Sequence, residues 1–501
     1  MGRCRRRIAA KAVTAAAAGV AALAACTTSP GQPSQQRTTT AARTLAGVPL
    51  VACTIKGERP TPAQASALCG TLTVPEDRSK PAGRRLTLRV AVVPASGTRA
   101  AADPVFAVAG GPGEAATQFF AWFPAVHTQL HATHDIVLVD QRGTGASKAV
   151  TLPPLPATTG LSPAAADARL AAWARDGLRS VDVDPRQLTS TVAADDLDAV
   201  RAAMGYGTID LYGSSYGATL VQYYLRQHPE HVRVAVLDGG TPLDVPVFER
   251  MAASSQTALT LLLRRCATDR ACHAAFPRLD AEWGEVLARF RTPVRVVDPA
   301  SGALAVIDQE TLAQAIHTAL LTEAGAAQLP LAIHLTAAGK YVEASALIGV
   351  KGADGSSLLM ADEILCSEAW ARADEANVAR LGAGSYALPR ELAKAQQRAA
   401  MCAHLPRGVV PGGDADGVRT PVPVLWLAGD GDPQDPPSNL TGVAAQQPHS
   451  KVVVLPAQQH VVGHLGCLPS VVAAFVAAGS VDGLDTSCVA AGSPAPSFRL
   501  R

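Results

Sequence analysis

Aromatic residues make up only 4% of this chain, and neither sign of charge dominates, with 44 Lys and Arg against 42 Asp and Glu. Such a balance offers no basic surface to a polyanion, so nucleic acid is not an expected partner. A hydrophobic share of 48% excludes a disordered chain, and no segment repeats at a fixed period, which excludes solenoids. None of the ten cysteines falls in a C-x-x-C pair, which argues against a zinc ribbon and against a thioredoxin-like redox site. Nowhere does an apolar run reach the ~20 residues of a membrane-spanning helix. At 501 residues, however, the chain is longer than the roughly 250–300 of one ordinary core, so two lobes or a large insertion are expected.

Charge is distributed unevenly at the start. Residues 1–25 hold Arg3, Arg5, Arg6, Arg7 and Lys11 and no acid, which leaves 39 bases against 42 acids in the remainder. A basic opening followed by the short apolar stretch AVTAAAAGVAALAA reads as an export signal peptide. The stretch ends in Leu23-Ala24-Ala25-Cys26, which resembles the bacterial lipoprotein box, so Cys26 is the expected lipidation site. Two acyl chains suffice for stable anchoring, and the membrane is expected as a partner through that anchor alone. Residues 26–44, rich in Ser, Thr, Gln and Pro, then serve as a flexible tether. Setting Cys4 and Cys26 aside leaves an even eight cysteines in an exported chain, which favours disulfides. Proximity along the chain suggests Cys53 with Cys69, Cys266 with Cys272, Cys366 with Cys402, and Cys467 with Cys488.

Apolar runs followed directly by glycine-rich turns organise the next part. PVFAVAGGPGE and DIVLVDQRGTGAS share that grammar, and a fully apolar run such as Ile136-Val137-Leu138-Val139 suits a strand covered on both faces. Val192, Leu197, Val200 and Met204 recur at helical spacing, and HVRVAVLDGG adds another buried strand. Alternating strands and helices imply an α/β fold with a mostly parallel sheet and helices on both faces. From about Thr241 to Asp414 helix-like stretches take over, and strand signals resume at VPVLWLAGDGDP and KVVVLPAQQH. The chain therefore divides into a first core part at 45–240, an inserted helical cap at 241–414, and a second core part at 415–501.

Gly213-Ser214-Ser215-Tyr216-Gly217 is the one G-x-S-x-G, and it stands between an apolar strand and the start of a helix. A nucleophile on so tight a turn has a strained backbone, and small residues two before and two after it keep strand and helix from clashing. Ser215 is the candidate nucleophile. A serine hydroxyl needs a base, itself oriented by a carboxylate, and in this arrangement the acid precedes the histidine in the chain. His460 ends KVVVLPAQQH and is the candidate base, with His464 its rival. The two form H-x-x-x-H, but Val461 stands where a zinc peptidase carries Glu, so no metal is expected. Asp430, Asp432 and Asp435 follow the strand at WLAG, and Asp238 closes an earlier one; the Asp-Pro step favours Asp432 as the acid. An oxyanion hole needs two converging N–H groups. Tyr216 supplies one, and Gly110 or Gly111 the other, because Pro112 has none to donate.

These residues carry a resemblance. GGPG at Gly110 to Gly113, DQRGTGAS at Asp140 to Ser147, GSSYG, HPEHVRVAVLDG at His228 to Gly239, Asp432-Pro433 and His460 look like the tripeptidyl aminopeptidase-like serine peptidases of the α/β-hydrolase superfamily, with relatives among the prolyl aminopeptidases. The resemblance implies the α/β-hydrolase fold, Ser215, Asp432 and His460 as triad, and no cofactor. CATDRAC and the late Cys467 and Cys488 match the family pattern as well. Ala109 stands where the prolyl enzymes have His, Asp435 replaces the usual Thr of D-P-x-T-P, and Gln459 replaces Gly before the base. All three border the cleft, where substrate choice is made.

The expected function is release of N-terminal residues or short peptides, the partners being peptides with a free N-terminus. A free α-ammonium calls for a carboxylate in a partly dehydrated pocket. Glu368, in a Cys-x-Glu that resembles a cap motif of the family, is the first candidate, with Glu363 beside it on the same segment, and Glu114 is the second. An esterase acting on small or lipid esters would use the same triad. An envelope lipoprotein that keeps the fold without turnover is the non-enzymatic alternative.

Overall fold

The computed structural model describes residues 44–501, apart from 46, 58–62, 99, 159, 180, 298–303, 349–356, 369–371, 409 and 493–494. The leader at 1–25, Cys26 and nearly all of the tether at 26–44 lie outside the described residues.

Nine strands form the central sheet: β1 (Val51–Lys56), β2 (Gln64–Pro75), β3 (Arg85–Val93), β4 (Val105–Val108), β5 (Ile136–Val139), β6 (Ile209–Ser214), β7 (Val232–Asp238), β8 (Val424–Gly429) and β9 (Ser450–Leu455). Their order across the sheet is β9-β8-β7-β6-β4-β5-β3-β2-β1. Every pairing from β5 to β9 is parallel, whereas β1, β2 and β3 add an antiparallel edge. That edge is broader than the single early strand expected over 85–95. Cys53 and Cys69 staple its outer pair at a Cα separation of 5.8 Å.

Five helices position the site: α1 (Ser190–Ala203), α2 (Tyr216–Gln227), α3 (Val247–Thr268), α4 (Leu359–Ser367) and α5 (Leu388–Cys402). A sixth, α6 (Leu468–Ala478), closes the chain's last β–α step. On one face of the sheet Phe106, Val108, Leu211, Leu237 and Trp426 pack against Leu197, Val200 and Leu220. On the other, Tyr212, Val236 and Leu427 meet Phe120, Phe123 and Phe475. Neighbouring residues of one strand thus enter different cores, which is why these strands read as unbroken apolar runs. Between β7 and β8 the described chain is chiefly helical, with a core of its own around Leu259, Trp283 and Ile316, and it includes one two-stranded antiparallel pair at Val294–Val297 and Leu304–Ile307. Cys366 joins Cys402 between α4 and α5, and Cys266–Cys272 and Cys467–Cys488 are also bonded. Among the described residues no helix is long and apolar enough to cross a membrane.

The DQRGTGAS segment proves to be scaffold. Asp140 accepts from Thr117 N and Oγ1 and from Ala146 N. Arg142, fully buried, donates Nε and Nη2 to Asp196 at 2.6 and 2.7 Å and Nη1 to the carbonyls of Glu76 and Gln187. A planar guanidinium satisfies the carboxylate and the loop carbonyls together, which a lysine cannot do. Arg142→Ala would leave Asp196 with only the partly exposed Arg78. The expected loss is about 3 kcal/mol, read as a lower urea midpoint by circular dichroism; an unchanged midpoint would contradict this role.

Candidate active site

Ser215 joins β6 to α2 with φ 56° and ψ −123°, a conformation that an L-residue holds only where its surroundings impose it. Here the surroundings are two glycines. A β-carbon at Gly217 would lie 2.1 Å from Val108 O, and one at Gly213 would lie 2.5 Å from Gly217 O. Both contacts are to backbone, so helix and strand could not come this close with any side chain there. Ser215 N donates to the carbonyl of Asp238 at 2.9 Å, tying the turn to the end of β7.

Three side chains distant in sequence meet at this turn. Ser215 Oγ donates to His460 Nε2 at 2.9 Å, and His460 Nδ1 donates to Asp432 Oδ2 at 2.7 Å. Asp432, fully buried, accepts from Gln434 N and Asp435 N through its other oxygen, so the Asp-Pro loop clamps the carboxylate. His464 is exposed and meets the Trp122 ring edge-on instead. Asp430 accepts from Ala457 N and pins the loop before the histidine. Burial opposes the imidazolium, but Asp432 and then Asp435 outweigh it and hold His460 at about 9. Asp435 Oδ2 stands 3.8 Å from His460 Nδ1, and its own carboxyl is raised by burial and by Asp432.

Asp238 has a task that its place in the sequence did not disclose. Its carboxylate accepts from Tyr212 Oη at 2.6 Å and from Val462 N and Gly463 N at 2.8 and 2.9 Å. It therefore holds the loop that carries His460 rather than the imidazole itself. Gly463 is obligatory there, since a β-carbon would stand 2.2 Å from Tyr212 Oη, and Gly239 leaves room for the ring of His460.

On the other side of Ser215 runs the Gly110–Gly113 loop. A β-carbon on Gly110 would lie 2.9 Å from Ser215 Cβ, so the glycine backbone is pressed against the hydroxyl-bearing carbon. Tyr216 N opens α2, where backbone N–H groups lack intrahelical acceptors. The Tyr216 hydroxyl donates to Ser190 Oγ at 2.8 Å, and Ser190 in turn donates from Oγ and N to Glu368 at 2.7 and 2.6 Å. Both oxygens of Glu368 are thus engaged in bracing α4 against α1, and burial raises its carboxyl to about 7. Glu114 is exposed and is not among the residues lining the cavity at Ser215. Glu363 is buried with no hydrogen-bond partner among the described residues, and burial, then Asp362, lift it to about 8.

A cavity of about 250 Å³ opens on Ser215, with Gly111, Pro112, Phe248 and Met251 in its walls and Asp435, Glu368 and Lys394 among its charged groups. Among the described residues two groups of three side chains bring carboxylate and imidazole atoms within 4.8 Å of one another. One is Asp432, Asp435 and His460; the other is Asp198, His228 and His231, where Asp198 already accepts from Arg201, Tyr224 and His231.

Residues 103–270 match a family model described as alpha/beta hydrolase fold, and residues 391–488 match one described as TAP-like protein. The chain is 29% identical over 231 residues to serine protease Hip1 of Mycobacterium tuberculosis (strain ATCC 25618 / H37Rv), covering 41% of this chain and 42% of that protein. It is 32% identical over 211 residues to tripeptidyl aminopeptidase of Streptomyces lividans, covering 38% of each. Against carboxylesterase B of Mycobacterium tuberculosis (strain CDC 1551 / Oshkosh) the identity is 34% over 237 residues, covering 41% of this chain and 43% of that one. The chain thus spans less than half the length of these relatives.

Two measurements test the site. An imidazole must be neutral to accept a proton, so kcat/KM is expected to climb from pH 7 towards a plateau above about 9. Asp435→Asn removes one of the charges that raise His460 and should move that limb to lower pH; a limb that stays in place would refute the coupling. Asp238→Asn loses one acceptor for the His460 loop and should lower kcat about a hundredfold with little change in KM. Unaltered kcat would show that the loop keeps its position without that carboxylate.

Proposed function

This chain has the α/β-hydrolase fold, and we propose from that premise that it is a serine peptidase releasing N-terminal residues or short peptides. The observation that carries the reading is the relay from Asp432 through His460 to Ser215 at 2.7 and 2.9 Å, facing a cavity. Ser215 Oγ attacks the scissile carbonyl as His460 Nε2 takes its proton, and Asp432 stabilises the imidazolium. The N–H of Tyr216, with that of Gly110 or Gly111, receives the oxyanion. His460 then protonates the leaving amine, and water, activated by the same imidazole, releases the acyl group. Residues 241–414 serve as the cap, and the leader with Cys26 directs export and lipid anchoring.

Two relatives, named a serine protease and a tripeptidyl aminopeptidase, support a peptidase. One relative is named a carboxylesterase, and the apolar wall of Phe248 and Met251 gives an esterase its own support. Chromogenic peptides with free and blocked N-termini, run beside short-chain esters, separate the two. Free peptides should be preferred, and Ser215→Ala should lower turnover at least about a thousandfold. Equal cleavage of blocked peptides would count against an exopeptidase, and turnover of esters alone would favour the esterase. A protein that a fluorophosphonate fails to label at Ser215 would be the lipoprotein without turnover.

A further inference from the structure

Three cations lie along one face of α5, since Arg390, Lys394 and Arg398 follow at intervals of four residues. Like charges at that spacing repel, so each would ordinarily need an acid. Arg390 has Glu391, and Arg398 donates to Asp362 at 2.8 Å. Arg372, across the same cavity, has Asp414. Lys394 differs: it lines the cavity that holds Ser215, is half-buried, and has no ion pair or hydrogen bond among the described residues.

We propose that Lys394 is a substrate-binding residue that receives a carboxylate of the peptide close to the scissile bond, giving the enzyme a preference for acidic substrates. This rests on the hydrolase reading above. A lone ammonium in a partly dehydrated cavity is costly unless an anion meets it, and a carboxylate is the anion that a peptide can bring. Burial, then Arg390 and Arg398, push the Lys394 ammonium down to about 7, while Glu310 pulls the other way. The cation is held at a disadvantage that a bound carboxylate would remove. The carboxylates that line the cavity do not fill this role: Glu368 is occupied by Ser190, and Asp435 accepts from Thr241 and Gln434. Asp435 lies at the end near Ser215, and Lys394, with no ion pair or hydrogen bond among the described residues, lies on the helical layer.

Two sources can supply the carboxylate, an Asp or Glu side chain on the acyl side or the free C-terminus of a short peptide. Paired p-nitroanilides with Glu or Gln at the first or second residue before the scissile bond test the first. Peptides with free or amidated C-termini test the second. In the wild type one pair should differ in kcat/KM by about tenfold in favour of the carboxylate, a difference that shrinks as NaCl is raised. Lys394→Gln should abolish that preference, and Lys394→Glu should turn it towards Lys-containing peptides. No preference in any wild-type pair, or a preference that survives Lys394→Gln, overturns the proposal. Should either variant lose its melting transition, the wild-type ratios and their salt dependence decide alone. If neither peptide nor ester is cleaved and a fluorophosphonate leaves Ser215 unlabelled, the hydrolase reading falls and takes this subsite with it.

Discussion

Asp238 is the residue on which the geometry of the site depends. Its carbonyl accepts from the N–H of Ser215, and its carboxylate accepts from the loop just after His460. Ser215 and His460 lie 245 positions apart in the chain, yet one buried residue at the end of β7 holds the backbone of both. A fully buried carboxylate is stable only with its acceptor sites filled, and here a phenol and two backbone N–H groups fill them. The same saturation excludes it from orienting the imidazole, and Asp432 stands where that is done.

Charge is handled differently at the two ends of the cavity. Near Ser215, two carboxylates crowd one imidazole and raise it, while Asp435 is itself held high by the nearness of Asp432. On α5 the opposite holds, where burial, and then Arg390 and Arg398 crowding Lys394, lower it. A Thr in place of Asp435 would lack the second carboxylate, so Asp435 changes the electrostatics of His460 without touching the contacts among Ser215, His460 and Asp432.

Much of this was legible along the chain. Ser215 could be picked out because a strained turn demands small neighbours, and Gly213 and Gly217 meet backbone at 2.5 Å or less when given a side chain. His460 followed from its place after an apolar run. The acid was less legible, since four aspartates end strands or follow them and turn formation favours all four. Glu368 was readable as a cap acid, but not its engagement with Ser190, a residue 178 positions away. The antiparallel edge of β1 and β2 left a weak signal, because its strands are only partly covered and lack the unbroken apolar runs of the buried parallel strands.

Sequence alone determined what is local: buried parallel strands, the tight turn at Ser215, and the pairs of nearby cysteines. Each depends on steric or hydrophobic rules that act within a few residues. Tertiary structure decided which aspartate meets the imidazole, which carboxylates are already occupied, and which cation has no ion pair among the described residues. Those outcomes depend on distances of 3 to 4 Å between segments that only the packed sheet and helices bring together, and hydrogen bonds and ion pairs fade steeply beyond that range.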